Sequence, residues 1–73
     1  MTLYFENKFG NRFAIDYPSN KEEAWGIIKK FLDKYNYKVP YVREWDDEEG
    51  LHWYDVGSHV EFFILEDNKN EQN

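Results

Sequence analysis

Between Ser19 and Asn36 the apolar residues return at intervals of three and four, whereas on either side of that segment they alternate with polar residues at intervals of two. That change of period constrains the chain to one amphipathic helix set among strands, because side chains return to one face every 3.6 residues on a helix and every second residue on a strand. In the helical segment Ala24, Ile27, Ile28, Phe31, Leu32 and Tyr35 form the apolar stripe, with Trp25 at its margin. Lys21, Glu22, Lys29, Lys30, Asp33 and Lys34 occupy the other side. Ser19 and Glu22 have capping-box spacing, which places the helix start there, and Asn36 is suited to ending it.

Ahead of the helix, Leu3, Phe5 and Phe9, then Phe13, Ile15 and Tyr17, fall on odd positions. Gly10-Asn11 between the two runs accepts a tight reversal, so Thr2–Tyr17 reads as a β-hairpin. Behind the helix, residues 37–45 (YKVPYVREW), 51–56 (LHWYDV) and 59–65 (HVEFFIL) read as three further strands. Pro40 marks an edge or a bulge, and Gly57-Ser58 suits a two-residue loop. The expected architecture is α+β, in the order β-β-α-β-β-β with neighbours in sequence adjacent in space. An antiparallel sheet carries one helix on one face. Residues 1–66 form the single domain, and the polar stretch 67–73 is expected to be a disordered tail.

With 73 residues, a domain buries only about 60% of its unfolded surface. No cysteine is present, so neither disulfides nor a thiolate zinc site can staple it, and an intracellular location is expected. Aromatic residues make up 21% of the chain, and large rings therefore carry the burial. No apolar run approaches the roughly 18 residues of a membrane span, and a soluble protein without a membrane partner is expected. The net charge of -6 repels nucleic acid and anionic lipid, which argues against direct nucleic-acid binding.

One segment concentrates the acids. In WDDEEGLHW, residues 45–53, Asp46, Asp47, Glu48 and Glu49 stand in a row between Trp45 and Trp53, with Glu44 and Asp55 close by. Adjacent carboxylates at a hairpin tip repel one another and favour water, so a solvated turn is the plain interpretation. Acid–base catalysis needs two carboxylates held in different environments, and a tip supplies neither. The contiguous run is also too short for a calcium loop. His52, Asp55 and His59 could ligate a metal only if they converged, yet a spacing of three on a strand sends His52 and Asp55 to opposite faces. Ser58 lacks the second glycine of a nucleophile elbow, and no phosphate-cradling loop is present. The chain is accordingly expected not to be an enzyme and to need no cofactor or metal.

A contact surface is the remaining use of these residues. Tyr41, Arg43 and Trp45 share one strand face, with Trp53 and Asp55 expected opposite them. A single helix covers one sheet face, so either the tryptophan face or a face containing Tyr4, Val42, Tyr54 and Phe63 is left open, unless long charged side chains cover it. The acidic stripe of Glu44, Asp46, Asp47, Glu48, Glu49 and Asp55 would attract a basic protein groove.

A short, acidic, cysteine-free, Tyr/Trp-rich chain with Trp53-x-Asp55-x-Gly57-Ser58 ahead of Phe62-Phe63 resembles small accessory proteins of bacteriophages and mobile elements, of the anti-CRISPR or anti-restriction type. The resemblance implies a stoichiometric inhibitor, working in the cytoplasm of a bacterial host cell, that blocks a nucleoprotein nuclease or other defence protein with a basic groove. Asp46, Asp47, Glu48 and Glu49 would imitate phosphates, and Trp45 and Trp53 would anchor the contact. The alternative is a structural or regulatory homo-oligomer, such as a homodimer, in which the acids serve solubility.

Overall fold

A computed structural model describes residues 1–36, 41–57 and 60–67. The elements are β1 (Thr2–Glu6), β2 (Arg12–Asp16), α1 (Lys21–Lys34), β3 (Arg43–Asp46), β4 (His52–Asp55) and β5 (Phe62–Glu66). This is the α+β order expected from the periodicities. The first part of the expected third strand, residues 37–40 with Pro40, the Ser58-His59 portion of the last loop, and residues 68–73 of the expected tail lie outside the described residues.

All strand pairs are antiparallel, and the sheet order is β2-β1-β5-β4-β3. The sheet is not built from sequence neighbours alone, because β1 pairs along its whole length with β5, Leu3 opposite Leu65 and Phe5 opposite Phe63. That pairing joins the two ends of the chain and makes β5 the central strand. It leaves β2 and β3 as the two edges.

Two hairpins use the same turn. In Asn7–Asn11 the Asn7 Oδ1 accepts the N–H groups of Phe9 and Asn11, both at 3.0 Å, and Gly10 sits at φ +83°. In residues 47–51 the Asp47 Oδ1 accepts the N–H groups of Glu49 and Leu51, both at 2.9 Å, and Gly50 sits at φ +81°. An Asx side chain folded onto the backbone two and four residues on, with glycine supplying the left-handed residue, explains both reversals.

The helix starts one residue later than its Ser19/Glu22 spacing suggests. Asn20 is the N-cap, its Oδ1 accepting the Glu23 N–H at 2.8 Å, while Glu23 reaches back to the Ser19 N–H at 2.9 Å. SNKEE satisfies the cap-to-acid spacing in two overlapping ways, and the pair that forms is the one led by Asn, as good a cap as Ser. Asn36 ends the helix in the left-handed region at φ 55°, as its position suggests.

The helix buries Ala24, Ile28 and Leu32 against Leu3, Tyr54, Phe63 and Leu65 on one sheet face, with Val56 joining them. Phe31 meets Phe63 edge-on with centroids 5.2 Å apart, and Phe5 lies 5.1 Å from Phe31. The loop before β5 is longer than the expected two residues. Asp55 pairs with Phe62, so the described residues Val56, Gly57, Val60 and Glu61 all lie outside the two strands, and Val56 turns back into the core.

Of the two faces anticipated as alternatives, the tryptophan face is the one turned away from the helix. Tyr54 and Phe63 lie beneath the helix, whereas Tyr4, grouped with them by sequence, pairs with Ile64 on the opposite face.

Candidate functional site

The β3–β4 hairpin places Trp45 opposite Trp53 and Arg43 opposite Asp55, the pairing that strand alternation leads one to expect. The two indoles stack at 5.9 Å with planes 13° apart, and Phe62 on β5 meets both edge-on. The Arg43 guanidinium stands over Trp45 and that of Arg12, from the far edge strand, over Trp53, each 5.6 Å from the ring centroid. The resulting Arg43–Trp45–Trp53–Arg12 array closes part of the open face with cations and rings. Ile64, flanked by Tyr4 and Trp53, is fully buried on this face despite the absence of a helix over it.

The six acids of the segment have different surroundings. Asp55 is fully buried, with Oδ2 2.7 Å from Arg43 and Oδ1 accepting the Gly57 N–H at 3.0 Å. The hydrogen bond to Asp55 raises the Arg43 pKa above its ordinary value. Asp47 accepts the Trp53 indole N–H at 2.8 Å in addition to its two turn amides. That indole bond first, then the Leu51 and Glu49 amides and the charge of Arg12, hold its carboxyl below the usual carboxylate range.

Glu44 and Asp46 project to the helix-covered side and bracket His52. Nε2 lies 2.8 Å from Glu44 and Nδ1 2.8 Å from Asp46. A neutral imidazole has one N–H, so both contacts are donated bonds only for the imidazolium. The His52 ring also stands edge-on to Tyr54, whose hydroxyl is pushed up to about 12 by burial and then by the charges of Glu44 and Asp46. Glu48 and Glu49, exposed on the turn, complete the set.

The structure therefore brings all eight sequence-selected residues into one hairpin but divides them by task. Asp55 and Asp47 hold the hairpin together. Trp45, 37% exposed, presents a ring, and Trp53 is half-buried beside it. Glu44, Asp46, Glu48 and Glu49 are exposed. Two contributors escaped the sequence. His52 was legible in principle, since Glu44 and Asp46 alternate on the strand opposite it. Arg12 was not, because its approach to Trp53 depends on the strand order.

Among the described residues no three His, Asp or Glu side chains are arranged to hold a metal ion, and no helix is long and apolar enough to cross a membrane. Beside the hairpin, Lys21, Glu22, Trp25, Glu44 and Tyr54 line a shallow groove of about 250 Å³. Comparison with models of protein families, with characterised proteins and with solved structures yields no match.

Proposed function

We propose that the chain is a non-enzymatic protein-binding inhibitor or modulator whose contact surface is the β3–β4 hairpin, and whose partner offers a basic groove of the kind used by nucleic-acid-handling proteins. A phage- or mobile-element-encoded inhibitor of a bacterial defence nuclease would act in this way. The observation that supports this most directly is that Glu48 and Glu49 are exposed on a turn that Asp47 fixes by three hydrogen bonds, one of them to Trp53. A preformed acidic tip beside a stacked indole pair loses little freedom on binding. Its charge accelerates encounter with a basic surface, and an exposed ring adjoining it supplies an anchor.

The test is a tagged pull-down from bacterial lysate at low and moderate salt. The wild type is compared with a Glu44→Gln/Glu48→Gln/Glu49→Gln variant and with Trp45→Ala, all of which leave Asp47 in place. A nucleic-acid-handling protein retained by the wild type and lost by the variants supports the proposal. Equal retention by the triple variant removes the acidic tip from the mechanism.

A further inference from the structure

The opposite end of the sheet carries a second surface. Strand β2 is an edge, and only Ile15 of its residues is even half-buried. Phe13 is 53% exposed although it pairs with Phe5 on the helix-covered face, because the helix lies over the middle of the sheet. Between β2 and the helix runs a groove of about 380 Å³, lined by Ile15, Asp16, Ile27, Lys30, Phe31 and Lys34. Its floor is apolar and its rim carries both signs of charge.

We propose that this edge is where a second copy of the chain docks, β2 against β2 in antiparallel pairing about a twofold axis through Ala14. Twofold dimers are the commonest closed assemblies, and they require a patch complementary to itself. RFAID meets that requirement. The axis sets Phe13 of each copy against Ile15 of the other and the small Ala14 against its own equivalent. Arg12 of each copy keeps its place on the opposite face, over Trp53 and paired with Glu6. A register irregularity between Leu3 and Tyr4 leaves Ile15 unpaired with β1 and puts Asp16 opposite Leu3. Asp16 therefore stands at the groove rim beside Lys30 and Lys34, where the two signs that a self-complementary contact needs are both supplied. The other edge fails the same test, because Glu44 and Asp46 lie on one face of β3 and a twofold there would gather four carboxylates. The contacts of this dimer lie on the helix-covered side, at Phe13, Ile15 and the groove rim, rather than on the β3–β4 hairpin or the Arg12 side chain over Trp53, so it stands whether or not that surface binds a partner.

The chain has no cysteine, so a single one reports position. Cα atoms directly opposite in an antiparallel pair lie about 4.5–5.5 Å apart, within disulfide range. Light scattering of the purified chain is expected to give twice the 9.0 kDa mass with rising concentration. Ala14→Cys is expected to cross-link under mild oxidation much faster than Lys29→Cys on the exposed side of the helix. Phe13→Glu is expected to weaken association about tenfold or more, as loss of a central interface ring does, with its urea midpoint confirming the fold. A monomer at every concentration overturns the proposal. So does a dimer in which Ala14→Cys cross-links no faster than Lys29→Cys, since that dimer would use another surface.

Discussion

Trp53 donates its indole N–H to Oδ2 of Asp47 across 2.8 Å, so one of the four consecutive carboxylates at the hairpin tip is committed to fixing a tryptophan. Its other oxygen is committed to the Glu49 and Leu51 amides. Asp47→Asn offers a donor where the indole N–H needs an acceptor, or gives up the turn amides instead. Its urea midpoint is expected to fall and its tryptophan emission to shift to the red, while Glu48→Gln and Glu49→Gln leave both unchanged. Emission and denaturation curves check this. The carboxyl of Asp47 is held below its ordinary value, so its contribution is present above the unfolded pKa and is lost as pH falls through the folded one.

The glycines separate by sign. Gly10 and Gly50 adopt left-handed φ, and a Cβ at either would meet nothing within 4 Å, so only the backbone opposes a side chain. Gly10→Ala and Gly50→Ala should each cost about 1–2 kcal/mol. Gly26 lies in the helix with equal room around it, and Gly26→Ala should stabilise by up to about 1 kcal/mol. Urea denaturation of the three variants measures all of these.

Two apolar layers hold the sheet, and each has its own residue to remove. Phe63 beneath the helix and Ile64 beneath the Arg–Trp array are both essentially inaccessible. Phe63→Ala should cost about 3–5 kcal/mol and Ile64→Ala about 2–5 kcal/mol. A cost for Ile64→Ala near that of an exposed site would mean that the array does not exclude water.

Alkaline pH provides the last test. The Tyr54 hydroxyl is raised to about 12 from 10.0 in the folded chain, so above the unfolded pKa the unfolded state loses a proton that the folded state keeps. Stability is therefore complete below pH 10 and declines as pH rises towards 12. Tyr4, raised first by its hydrogen bond to Glu66, acts in the same direction. Tyr54→Phe should flatten part of the decline, as denaturant midpoints between pH 9 and 12 will show.

Much of the hairpin was legible in the sequence because its determinants are local. Alternation put Trp45 with Arg43 and opposed them to Trp53 and Asp55, and the polar run between them had to be a turn. What local pattern leaves open is the use of each acid. In sequence Asp46 and Asp47 are equivalent neighbours, yet one faces His52 and the other closes the turn onto Trp53. The cap shifted by a residue because two overlapping pairs had the same spacing, and Tyr4 was assigned to the wrong face because its strand's partner was unknown.

The periods of two and 3.6, the turn residues and the single amphipathic stripe determined by themselves that five strands and one helix form in this order, since each depends on residues within a few positions of one another. Only the tertiary structure decided that β1 joins β5, that β2 and β3 become the edges, and that Arg12 reaches Trp53. Those outcomes depend on which strands meet across the length of the chain, a choice made by the fit of whole faces to one another.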